Sequence, residues 1–350
     1  MKLNDVLARI RPIDSDAGKA CITRFDQVAK PVGSLGKLEE LLARIAAITG
    51  SADIDISRKA VAVFCADNGV TRRGVALGGH EVTTAVAGIL GRGKASVSVM
   101  AKSCGADVWS VDVGMVDTVY GLSDCKLMSG TEDITEGPAM SRETAEKAVM
   151  IGVNTVKELK DKGYCLIAAG EVGIGNTTTS GAICSVLLNR SVSEVTGRGA
   201  GLDDDGLRRK LAAIEQAITV NKPNPADPLD VLHKLGGLDI AAMTGLYLGG
   251  ALYRTPIVMD GLISCTAALV AARLCPDVKG YILPSHESDE PGARYLMDAL
   301  SCSAILQAGM RLGEGTGAVA LFPLLDMALA VYHDAAVFAD IRIDQYKRTT

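Results

Sequence analysis

Five short apolar runs recur along the chain, and each gives way to a glycine or polar turn and then to a long amphipathic stretch. They are AVAVFCADNG from Ala60, DVWSVDVG from Asp107, YCLIAAGE from Tyr164, PIVMDG from Pro256 and GYILPSHE from Gly280. Apolar runs of about 4 to 8 residues alternating with helical segments are the pattern of βα units, which build a parallel sheet with helices on both faces. The spacing predicts helices over 81–102, 141–162, 178–188, 203–220, 238–253 and 262–274, with Ser141 and Asp203 as N-caps. Trp109 is read as core, and the prolines of KPNPADP (222–228) as a loop within one domain. In such a fold, ligands gather at the carboxyl ends of the strands.

Composition narrows the function. A chain of 350 residues that is 48% hydrophobic and 22% charged can bury a large core, so disorder is not expected. The net charge of −5 is mild and the Lys and Arg residues are scattered, which gives no footprint for a nucleic-acid backbone. The N-terminal MKLNDVLARIRPIDSD lacks the features of a signal peptide, and the apolar stretch 262–274 is too short for a bilayer, so a soluble protein without a membrane partner is expected. Nine cysteines without a CxxC pair fit reduced thiols in a cytoplasmic protein, and four histidines without ligand spacing give no reason to expect a metal.

Two glutamates sit in glycine-rich frames. Glu171 belongs to GEVGIGNTTTSGA (170–182), which follows an apolar run and opens a helix. Gly173, Gly175, Asn176, Thr177 and Thr178 would then bring amides and hydroxyls to a helix N-terminus, a natural seat for phosphate; a tight turn before an ordinary helix is the plainer alternative. Neither GxGxxG nor a Walker lysine is present. Glu314 lies in RLGEGTGA (311–318), flanked by Leu312, Gly313 and Gly315, and could be a base or simply a solvated loop acid. SHESDEPGAR (285–294) offers Ser288 and Gly292 for an anion site or is a surface turn, with His286 more structural than catalytic. TGRGAGLDDDGLRRK (196–210) adds Lys210, either a surface lysine or a charge for phosphate or ribose.

Together KPVGSLGKLE, FCADNGV, GEVGIGNTTT, GRGAGLDD, MDGLIS, HESDEPGA and RLGEGTGA follow the order of motifs in the nicotinate-nucleotide:dimethylbenzimidazole phosphoribosyltransferase family, which the chain resembles from about Lys30 to Leu325. The resemblance implies a cytoplasmic homodimer without a cofactor, in which each chain has a large Rossmann-like domain (25–289 and 326–350) and a small helical domain (1–24 and 290–325). It implies transfer of phosphoribosyl from nicotinate mononucleotide to an aromatic base for cobamide synthesis. Motif match makes Glu314 the base and Glu171 a carboxylate near the ribose. It gives Gly173, Gly175, Asn176, Thr177, Thr178, Lys210, Ser288 and Gly292 to the phosphate and ribose, and Leu312 and Gly313 to substrate contact.

The sequence departs from the family where a tyrosine and proline usually precede EVT and line the acceptor pocket; here the stretch is ALGGHEVT, with Leu77, Gly78, Gly79 and His80. A benzimidazole, a purine or a phenol are all open as acceptor. The same departure leaves a second possibility, a weakly active or inactive subunit that pairs with an active paralogue.

Overall fold

The computed structural model describes residues 1–348. Its centre is a six-stranded, wholly parallel sheet in the order β3-β2-β1-β4-β5-β6, formed by β1 (Lys59–Ala66), β2 (Ala106–Gly114), β3 (Ser123–Asp124), β4 (Leu166–Val172), β5 (Ile257–Met259) and β6 (Ile282–Pro284). All five apolar runs become strands. β1 and β4 are buried along their whole length, which is why they read as continuous apolar runs and not as alternating ones. β2 sits nearer the edge, and Trp109 is only partly buried there, its ring covered by the Lys162 ammonium at 4.4 Å.

Helices form on both faces of the sheet, mostly where periodicity puts them. Arg142–Asp161 is capped by Ser141, whose hydroxyl accepts the Thr144 N–H at 3.0 Å, and Asp204–Asn221 by Asp203, which accepts the Gly206 N–H at 2.7 Å. The segment read as one helix over 81–102 is instead two, His80–Gly91 and Ser96–Ser103. Gly93 takes a left-handed φ of 69° between them and ends the first helix.

The Arg142–Asp161 and Leu238–Tyr253 helices approach backbone to backbone at glycines. A Cβ added to Gly245 would overlap the carbonyl oxygen of Val149, and one added to Gly152 the carbonyl oxygen of Ala242. The ends of the chain also meet. Phe25, in the Ser15–Gln27 helix, packs on Tyr332 at a ring distance of 4.8 Å, and Val28 forms an antiparallel bridge with Val337. Tyr332 lies in the Thr316–Asp334 helix, which by length and mean hydropathy (1.4) could cross a membrane; half of its apolar window is buried against the rest of the protein.

Candidate active site

β4 ends in Glu171 and Val172, and its partner register sets Glu171 beside Phe64 of β1. The chain then turns through Gly173 and Gly175 into the Asn176–Leu188 helix. Gly173 is required by packing: a Cβ there would lie 2.6 Å from Asp239 Oδ2 and 2.7 Å from the Ala66 carbonyl oxygen. Glu171 is buried, and its Oε2 accepts a hydrogen bond from the Asn176 side-chain amide. Burial, followed by the neighbouring Asp239 charge, pushes its carboxyl well above the usual carboxylate range.

The RLGEGTGA segment lies directly on this strand end. A Cβ on Gly313 would come within 2.7 Å of Glu171 Oε1, and one on Gly170 within 2.5 Å of the Glu314 carbonyl oxygen. Gly313, Glu314 and Gly315 are all left-handed, with φ of 89°, 62° and 91°, a conformation that costs a non-glycine residue about 1 kcal/mol or more. The Glu314 Oε2 accepts the backbone N–H of Val97 at 3.0 Å, in the first turn of the Ser96–Ser103 helix, whose own N-cap, Ala95, offers no side-chain bond. A carboxylate is favoured at that end of a helix.

Asp260, at the carboxyl end of β5, fastens the same loop. Buried, it accepts the N–H groups of Gly315 at 3.2 Å and Ala318 at 3.0 Å, and faces His286 Nδ1 at 3.9 Å. Burial raises its carboxyl pKa, while the charge of His286 opposes the rise. His286 packs its ring on Gly317 and lies 3.1 Å from the Ser285 hydroxyl.

These parts enclose a cleft of about 890 Å³, open to solvent. Of the sequence-predicted residues, Glu171, Gly173, Asn176, Thr177, Ser288, Leu312, Gly313 and Glu314 line it. Lys210 stands behind the wall. Its ammonium donates to the Thr177 hydroxyl at 2.8 Å and to the Gly197 carbonyl at 3.1 Å, and burial lowers its pKa to about 8. Thr178 is fully buried in its helix, Gly175 packs on Thr71, and Gly292 packs on the Val195 carbonyl, so these three support the wall without lining it.

The ALGGHEVT segment lies elsewhere. Gly78, Gly79 and His80 line a neighbouring cleft of about 610 Å³ with Asp67, Asn68 and Arg72, and Leu77 is 58% exposed. Glu81 reaches back to bond the Gly79 N–H at 2.8 Å and fixes this turn outside the main cleft. From the helix that follows, Val86 lines the main cleft. Sequence reasoning assigned no role to Val86, Asp260, Glu290 or Arg311, all of which line the cleft, or to Asp239 beneath it. For Asp260 a signal existed, since MDG closes an apolar run where α/β sheets place ligands.

The cleft is thus acidic on the Glu171, Asp260, Glu290 and Glu314 side, with Thr177 at a helix start that could take an anion and Lys210 behind it. Among the described residues, no serine or cysteine nucleophile with a partner base faces it. The arrangement can hold a molecule with one anionic and one cationic part.

Comparison with known proteins gives the family. Residues 10–343 match the model of a family described as phosphoribosyltransferase. The nicotinate-nucleotide–dimethylbenzimidazole phosphoribosyltransferase of Ruminiclostridium cellulolyticum is 44% identical over 349 residues, which is 99% of either chain, and that of Desulforudis audaxviator is 44% identical over 348, again 99% of either chain. The solved structure of the enzyme of the same name from Thermus thermophilus has a TM-score of 0.89 and 35% identity, and covers 95% of this chain and 100% of its own. By its sequence along nearly all its length and by its fold, this chain belongs to the phosphoribosyltransferase family.

Proposed function

We propose that the chain transfers the phosphoribosyl group of nicotinate mononucleotide to an aromatic base, releasing nicotinate and giving the α-riboside phosphate used as the lower ligand of a cobamide. The observation that carries this reading is the convergence of Glu171 and Glu314 on one cleft at the carboxyl end of the sheet, beside a helix start backed by Lys210. The names of the relatives support the choice of donor and acceptor.

The donor's pyridinium ring leaves as a neutral base, so its departure needs no acid. Positive charge collects on the ribose carbon, and a buried carboxylate beside it stabilises that charge where water is scarce. Glu171 fills this part, with the phosphate held at Asn176 and Thr177 and by Ser288. The acceptor loses a proton as it attacks, and Glu314 takes it. Val86, Val172, Ile174 and Leu312 give the acceptor an apolar bed.

Glu171 and Glu314 therefore divide the reaction between donor and acceptor. We further propose a cytoplasmic homodimer, with residues 1–24 and 290–325 as its small domain. The test is Glu314→Gln, because glutamine still offers the Val97 N–H an acceptor and so spares the helix cap. Phosphoribosyl transfer by the purified chain should fall by about 10² to 10⁴. Transfer near the wild-type rate would remove Glu314 as the base, and no transfer by the wild type with benzimidazole, purine and phenol acceptors would remove the function itself.

A further inference from the structure

Asp239 belongs to no motif singled out in the sequence, yet it is fully buried at the start of the Leu238–Tyr253 helix, directly beneath the cleft. Its Oδ1 accepts the Ile240 N–H at 2.9 Å, and its Oδ2 accepts the Asn176 side-chain amide at 3.0 Å. That amide nitrogen also donates to Glu171 Oε2. One NH2 group is therefore divided between two buried carboxyls.

Charged groups around the pair are nearly all of one sign. Asp67 faces it from the end of β1 and Asp260 from the end of β5, the Cys65 thiol beside it on β1 is held neutral by burial and by the neighbouring carboxyls, and Glu314 meets Glu171 through its backbone N–H. Of the basic groups that line the cleft, His286 is directed at Asp260 and Arg311 at Asp289. No Lys, Arg or His among the described residues pairs with Glu171 or Asp239. Two unpaired carboxylates sharing one donor in a buried site do not both ionise; one keeps a proton until a positive charge arrives.

We propose that Asp239 is a positioning residue for phosphoribosyl transfer: through the shared Asn176 amide it aims the Glu171 carboxyl into the cleft and holds a proton on the pair until the donor's cationic pyridinium riboside enters. On binding, the Glu171 O–H bond breaks, its proton passes to solvent through the open cleft, and the electron pair stays on the carboxylate that then faces the donor. The inference rests on the function proposed above. Donor recognition is in this way a proton exchange, and Asp239 sets the pH at which it occurs.

Asp239→Asn removes the like charge and keeps the shape, so Glu171 should ionise more readily. The pH profile of kcat/KM for nicotinate mononucleotide should move its acid limb to lower pH by about one unit or more, and Glu171→Gln should abolish that limb. A second reading needs no catalysis: in infrared difference spectra on a pH jump, the wild type should show a protonated-carboxyl band that Glu171→Gln deletes and Asp239→Asn moves to lower pH. An unshifted band and an unshifted limb in a folded Asp239→Asn protein would overturn the inference. Absence of transfer by the wild type would instead overturn the proposed function, and the infrared arm would still decide the proton.

Discussion

Lys210 shows at the scale of one residue how burial converts an ordinary side chain into a measurable property. Its ammonium has two neutral oxygen partners and no carboxylate bonded to it, so the folded chain releases its proton near pH 8 while the unfolded chain keeps it to about 10.5. A lowered lysine pKa penalises the charged form: the cost is full below about pH 8 and lifts as the pH climbs from there towards 10.5. Wild-type stability should therefore rise relative to Lys210→Met across that window by about 3 kcal/mol, read from denaturant midpoints at both ends. A parallel course of the two proteins would show that the lysine is solvated. In the sequence, Lys210 stands out by itself as a charge in a helix after a glycine loop, and only the family resemblance gives it to the phosphate and ribose. Glu171 and Glu314 are legible because glycines frame them, and the frames serve the carboxyls as much as a ligand: Gly173 makes room for Asp239 and Gly313 for Glu171 itself. Asp239 was illegible as a site residue, since an aspartate at the start of a helix looks like a cap until the fold shows what surrounds it, whereas Asp260 carried a signal in MDG that pointed to a strand end without naming its task.

Among elements, the pair formed by Arg142–Asp161 and Leu238–Tyr253 fixes the floor of the site, because the second helix carries Asp239 in its first turn. Their contact is set by glycines against carbonyls, where no side chain can yield. Gly245→Ala places a methyl group on the backbone of Val149 and must push the helices apart, at a cost of about 3 kcal/mol or more, near the upper end for overpacked cores. Urea unfolding should show this as a lower midpoint, and a midpoint equal to wild type would mean that the crossing is looser than described. Both helices were legible from periodicity with ends close to those observed, as was Leu262–Leu274. Lys37–Thr49 was not, because it begins after Gly36 with no side-chain cap to mark its start. The false continuation over 81–102 has the opposite cause: apolar spacing persists across Gly91 and Gly93, and only the backbone conformation at Gly93 reveals the break.

At the level of the whole molecule, one sheet holds the two parts of the cleft on separate loops, the turn after β4 with the helix it opens and RLGEGTGA with the helix that carries Val86, and the proposed function gives the first to the donor and the second to the acceptor. A ligand that binds only the folded chain stabilises all of it, by about 2.7 kcal/mol at a hundred times its dissociation constant. For 350 residues the unfolding entropy is on the order of 0.7 kcal/mol per kelvin, so nicotinate mononucleotide at that concentration should raise Tm by about 4 °C. The division of labour adds a sharper demand. Glu314→Gln alters only the acceptor side and should keep that increment, whereas Lys210→Met withdraws the charge behind the anion seat and should lose most of it at the same donor concentration. Equal increments in both variants would place the phosphate away from Thr177 and Lys210, and would move the donor to another part of the cleft.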